Sequence, residues 1–207
     1  MRRMFAQLIV LAVGAIALVG LNGVSTLLGS RQPDAVVTSD TTTDTATLAS
    51  VRAQLNDVHH ELERAHQILE FASRYSIPAD LATHIYDVAV AEGIPAAVGF
   101  QLVRVESGFE NTARSNASAI GLTQLRLTTA RAYDATVDAS DLMNADVNLR
   151  LGFRYLKDLL ARFDHNLPLA LEAYNKGPTF VSAEQELGND VEGRYSRAVL
   201  AGVRKKG

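Results

Sequence analysis

The 207-residue chain contains no cysteine. Disulfides, thiolate nucleophiles, thiolate metal sites and a lipid-modified cysteine anchor are excluded together, although the redox compartment stays open. Charge of one sign is also lacking, since 20 Lys and Arg face 23 Asp and Glu and leave a net charge of -3. That balance offers no surface for nucleic acid, and the RKK near the C-terminus reads as a solvated tail. Equally missing are a GxGxxG turn, a GxxxxGK phosphate cradle and a GxSxG nucleophile elbow. His59, His60 and His66 share one helical stretch, but no close pair lies one turn apart with an acid to complete a site, so neither metal nor cofactor is expected.

No charged residue occurs from Met4 to Ser30. At about 1.5 Å per residue, a helix over this stretch spans the ~30 Å hydrocarbon core of a bilayer. Arg2 and Arg3 precede it, so the positive-inside rule puts the N-terminus in the cytoplasm and the remainder outside. Residues 1–29 are therefore expected to be a single-pass inner-membrane anchor, with the rest of the chain periplasmic or otherwise extracytoplasmic. A cleaved signal sequence, which would make the protein secreted, is the competing reading, and RRMF also opens like a twin-arginine signal. Residues 30–47 are rich in Thr, Ser and Asp and read as a flexible tether.

Over residues 48–75 the pattern changes. Leu48, Val51, Leu55, Val58, Leu62, Ala65, Leu69 and Ala72 alternate spacings of three and four. This heptad seam predicts either a coiled-coil stalk, with a homodimer or another cell-envelope partner through residues 48–72, or an amphipathic helix lying on its own domain. Ile68 and Phe71 widen the apolar face and favour the second reading at its C-terminal end. Ser76-Ile77-Pro78 breaks the pattern. Residues 76–207 then predict one all-α domain, with helices over about 78–91, 95–107, 122–133, 145–163, 167–174 and 191–203 and room for a small hairpin within 110–120.

Glu106 is an odd acid. Apolar Val98, Leu102, Val105 and Phe109 recur at helical spacing around it, and it falls at a helix C-terminus, just before Ser107 and Gly108. Dipole and desolvation both disfavour its anion there and raise its pKa, as a general acid working near neutral pH requires.

Four motifs stand in order: ESGF, AIGLTQ, NLRLGFRYL and AYNKGP. Their order and spacing over residues 78–203 resemble the soluble-type lytic transglycosylase domain, related to goose-type lysozyme. The resemblance implies a lysozyme-like helical fold, peptidoglycan glycan strands as substrate and Glu106 as the single catalytic acid. It further implies supporting or substrate-binding roles for Ser107, Gly121, Gln124, Tyr174, Asn175 and Tyr195. Each has a plainer reading: Gly121 serves a turn, Gln124 is solvated, Tyr174 is a core aromatic and Asn175 belongs to the turn before Gly177-Pro178. Asn148 is as well suited to capping and packing as to substrate contact. Three departures bear on cleft shape: Thr123 replaces the usual methionine and is expected as a cleft wall, Arg126-Leu127 follow where Met-Pro is common, and Lys176 replaces alanine.

The resemblance implies cleavage of the β-1,4 bond between N-acetylmuramic acid and N-acetylglucosamine, leaving 1,6-anhydromuramoyl ends, with Glu106 as acid and then base. Two rivals stand beside it. One is a muramidase that uses water and takes its second carboxylate from Glu110, Asp134, Asp138 or Asp141. The other is a membrane-tethered, peptidoglycan-binding scaffold without activity.

Overall fold

Prolines and left-handed residues divide the chain into helices in the structure, a computed structural model that describes residues 41–203, with side chains from Thr47 onward. Helix α1 runs Thr41–Tyr75, α2 Ala79–Ala91 and α3 Ala96–Ser107. Pro78 and Pro95 stand directly before α2 and α3, where the missing N–H costs no helical bond. At the other ends, Ser76 at φ 54° closes α1 and Gly108 at φ 59° closes α3. A two-stranded antiparallel hairpin follows, β1 Ala119–Ile120 with β2 Leu125–Arg126, then α4 Leu127–Ala130 and a 3-10 turn at Asp141–Met143. The remaining helices are α5 Ala145–Arg162, α6 Leu167–Lys176, α7 Pro178–Glu186 and α8 Arg194–Val203. Asn144 caps α5 by accepting from Asp146 N and Val147 N, and Asn166 caps α6 by accepting from Leu169 N.

The all-α expectation holds, with corrections in detail. The hairpin ends beyond the 110–120 stretch expected for it. The helix expected over 122–133 is absent except for α4, because Gly121 at φ 78° and Gln124 at φ 47° turn the chain back on itself. Helix α7 was not foreseen, although Pro178 at its first position is an ordinary start signal. Helix α1 begins at Thr41, inside the stretch expected as a tether. The expected anchor, residues 1–29, and tether residues 30–40 lie outside the described residues. Among the described residues no helix is long and apolar enough to cross a membrane.

Helix α5 packs against α2 and α6, α3 against α2 and α8, and α6 against α7 and α8. Phe100, Leu102, Leu122, Leu149, Phe153, Leu156 and Leu171 fill the main core. A smaller cluster of Ile120, Leu125, Ala130, Val137, Leu142 and Leu151 supports the hairpin. Helix α1 bears out the amphipathic reading at its C-terminal end, where it lies on its own domain. Ile68 and Ala72 are buried in the domain with Phe71 and Tyr75 packed beside them, while Arg64 forks onto Asp87 and Gln67 accepts from Tyr86. The heptad seam up to Leu69 stays exposed.

Candidate active site

Helix α3 carries Glu106 one residue short of its end. The carboxyl is half-buried, and burial pushes its pKa up to about 7 against the lowering effect of one hydrogen bond from Tyr195. That bond runs from the Tyr195 hydroxyl to Oε1. No other side chain among the described residues hydrogen-bonds to this carboxyl, so the second oxygen has no protein partner there. The expected apolar flank is only partly present. Val105 is exposed, and Phe109 turns towards Tyr75, with ring centroids 5.2 Å apart. Aromatic groups from later helices stand near the acid instead, since the Glu106 charge helps to raise the pKa of both Tyr174 and Tyr195, after burial.

Tyr174, near the end of α6, is buried and donates to the carbonyl of Thr123 at 3.0 Å. This ties α6 to the turn between β1 and β2. The turn itself is held by Asn148 of α5, which is fully buried. Its Nδ2 donates to Ile120 O at 2.8 Å and Leu142 O at 2.9 Å, while its Oδ1 accepts from Thr123 N at 2.8 Å and Thr123 Oγ1 at 2.7 Å. All four hydrogen-bonding capacities used here are buried, and none is left for substrate. Asn148 is thus a structural residue, and Asn144, not Asn148, caps the helix.

Thr123 is correspondingly not a cleft wall. It is fully buried, and it fits only because residue 152 is glycine: a Cβ there would come within 2.3 Å of Thr123 Oγ1. Gly121 is required twice over, by its positive φ and because a Cβ would fall 2.3 Å from Asn148 Nδ2 and 2.5 Å from Leu142 O. Gln124 spends its amide nitrogen on Ala113 O and Gly121 O, which fastens the turn to the preceding loop. Ser107 bonds back to Val103 O in its own helix and leaves Glu106 alone. Asn175 is exposed, with no side-chain hydrogen bond among the described residues, and remains free to meet a ligand.

One residue of the site was not foreseen. Glu172 of α6 is fully buried, and its Oε1 accepts from Gly193 N at 2.8 Å and Ser196 N at 2.9 Å, at the N-terminus of α8. Lys176, one turn later, places Nζ 2.9 Å from Oε2. Desolvation works to raise the Glu172 pKa, but Lys176, Ser196 and Gly193 outweigh it and hold the carboxyl below its ordinary value. The residue between the two bonded amides and next to one of them is Tyr195. Glu172 therefore seats the helix whose tyrosine holds Glu106, and Lys176 is explained as its counter-charge. An acid and a base four residues apart on α6 were the available signal.

The four carboxylates considered as second partners are occupied locally. Glu110 accepts from Thr112, Asp134 from Thr136, Asp138 from Ser140, and Asp141 from Asp138 N. A concavity of about 570 Å³, lined by Arg74, Tyr75, Gln101 and Arg104 among others, does not include Glu106. Among the described residues no three His, Asp or Glu side chains gather to hold a metal ion.

These features define a lysozyme-like helical domain with one half-buried glutamate held by tyrosine. The family model for the transglycosylase SLT domain matches residues 85–195, and the chain belongs to that family. Two solved structures are similar to it. The lytic transglycosylase Slt of Pseudomonas aeruginosa, solved as an inactive mutant, shares 28% identity at a TM-score of 0.51, over 57% of this chain and 22% of that one. The 70 kDa soluble lytic transglycosylase of Escherichia coli shares 21% identity at a TM-score of 0.54, over 64% of this chain and 24% of that one, a likeness of fold alone. The chain thus spans under a quarter of the length of either protein.

Proposed function

We propose that the protein is a peptidoglycan lytic transglycosylase that cleaves the β-1,4 bond between N-acetylmuramic acid and N-acetylglucosamine with Glu106 as its only acid and base. The observation that carries this reading is the Glu106 carboxyl itself, raised by burial to about 7, with Tyr195 as its partner and no carboxylate among the groups that set its ionisation. A carboxyl near 7 is present in both forms at neutral pH, as a group that first gives and then takes a proton must be.

In the first step the protonated Glu106 donates to the glycosidic oxygen as the C1–O bond breaks. The N-acetyl carbonyl oxygen of the muramic sugar attacks C1 from the opposite face, in the place a second enzyme carboxylate would take. In the second step the Glu106 carboxylate accepts the proton of the 6-hydroxyl. Its oxygen closes onto C1 and releases the acetamido group, leaving a 1,6-anhydro ring and a protonated Glu106. No water enters and no cofactor is required. Tyr195 fixes one carboxyl oxygen and leaves the other to face the substrate, and Tyr174, near the acid, is itself fixed by its bond to Thr123 O. Asn175, exposed and unbonded, is suited to a polar contact with the sugar. A membrane anchor over residues 1–29 and an extracytoplasmic location belong to the same proposal, because the substrate lies outside the cytoplasmic membrane.

Digestion of purified peptidoglycan in ¹⁸O-labelled water tests the reaction class. The proposed route leaves no label in the new muramic ends. One ¹⁸O for each bond cleaved would establish the muramidase reading.

A further inference from the structure

Helix α1 meets its own domain through Arg64, Ile68, Phe71 and Tyr75, yet a second apolar stripe on the same helix meets nothing among the described residues. Val51, Leu55, Val58, Leu62 and Leu69 are between 55% and 66% exposed, and Ala65 between them is exposed as well. Their spacing of four, three, four, three and four is a heptad seam, with leucines at positions 55, 62 and 69 as one layer type and Val51, Val58 and Ala65 as the other. Scattered surface leucines need no explanation, but a continuous row on one helix face does.

We propose that this face is a self-association surface, on which a second copy of the chain docks parallel and in register as a short coiled coil. Charge decides for a copy of itself and for the parallel direction. The residues flanking the seam are Gln54 and Glu61 on one side and Arg52, His59 and His66 on the other. In a parallel pair, Glu61 lies against His66 of the second copy and Gln54 against its His59, with no like charges opposed. An antiparallel pair about the same seam sets Glu61 against Glu61. The domain-facing side of α1 is already filled by Ile68, Phe71 and Ala72, so the two contacts do not compete. Leucine and β-branched residues in this order lean towards more than two strands, so the number of chains is read from the mass.

The absence of native cysteine makes the test direct. Val51→Cys and Leu55→Cys are each made in the full chain, with Asn56→Cys, on the outward face, as control. On mild oxidation, Val51→Cys and Leu55→Cys are expected to give disulfide-linked dimers on a non-reducing gel, and Asn56→Cys at least tenfold less. A mixture of Val51→Cys and Leu69→Cys that cross-links only to each other would overturn the parallel arrangement. Cysteines at 51 and 55 that neither cross-link nor react with a maleimide would show the face covered by another part of the chain and would overturn self-association. So would a monomeric mass by sedimentation equilibrium. Leu62→Glu, which touches neither Glu106 nor its supports, is expected to return the associated chain to monomer with glycan cleavage unchanged.

Discussion

Tyr195 donates its hydroxyl proton to Oε1 of Glu106, joining α8 to the end of α3 across 89 positions of sequence. The bond works against burial: desolvation raises the acid and the tyrosine lowers it, and about 7 is where the two leave it. The same contact therefore helps to fix the position of the proposed catalytic group and moderates the rise in pKa that burial causes.

Removing that contact has a signed consequence. In Tyr195→Phe the lowering effect is lost, so the Glu106 pKa rises further and the alkaline fall of kcat/KM moves to higher pH. Turnover at the optimum drops at the same time, on the order of tenfold, because one carboxyl oxygen is no longer held. A pH profile of muropeptide release checks both. An unchanged alkaline limb would mean that Tyr195 does not govern the acid.

The same carboxyl predicts how stability depends on pH. Its folded pKa of about 7 lies above the ordinary 4.5, so the folded state holds the extra proton between those values. Its contribution is fully present below about 4.5 and is lost as pH rises through about 7. Relative to the native chain, Glu106→Gln should gain about 1–3 kcal/mol at pH 8 and little at pH 4.5. Urea unfolding at the two pH values measures the difference.

Glu172 and Lys176 act as a pair under α8. Glu172→Ala leaves the amides of Gly193 and Ser196 without their acceptor and should cost about 3 kcal/mol or more, with a fall in turnover as Tyr195 loses its seat. Lys176→Ala should cost less, because the helix N–H groups still hold the carboxylate. Chemical denaturation ranks the two variants. Equal stability of Glu172→Ala and the native chain would remove Glu172 from the account.

Asn148→Ala should cost about 2–4 kcal/mol, since Thr123 N, Ile120 O and Leu142 O lose buried partners together. Activity should fall with it, because Tyr174 rests on the same turn through Thr123 O. Thermal unfolding and a cleavage assay on the folded fraction separate the two effects.

What could be read from the sequence was what its local order encodes. Pro78, Pro95, Gly108 and Asn166 mark helix ends by chemistry that acts within a few residues, and the apolar periodicity of α5 identifies its buried face. Glu106 and Tyr174 stand in two of the four ordered motifs, whereas Tyr195 lies beyond them and was named from the resemblance of the later sequence. Gly121 could be read as a turn residue, but the positive φ of Gln124 could not, since its side chain is fastened to Ala113 O, 11 positions away. Thr123 looked like a cleft residue and is instead bound to Asn148, 25 positions away. Glu172 escaped for the same reason: its partners are backbone amides on another helix, which leave no pattern in side-chain identity. Local sequence also suggested that Val105 and Phe109 desolvate Glu106, but aromatic groups of α6 and α8 stand near the acid instead.

The central claim is that one carboxyl, Glu106, performs both proton transfers. It is tested most directly by mass spectrometry of muropeptides released from purified peptidoglycan by the native chain and by Glu106→Gln. The account predicts ends one water lighter than hydrolysed ones from the native chain, and loss of release by about 10²-fold or more in a variant that still folds. Anhydro ends that persist with Glu106→Gln, or hydrated ends from the native chain, would contradict it.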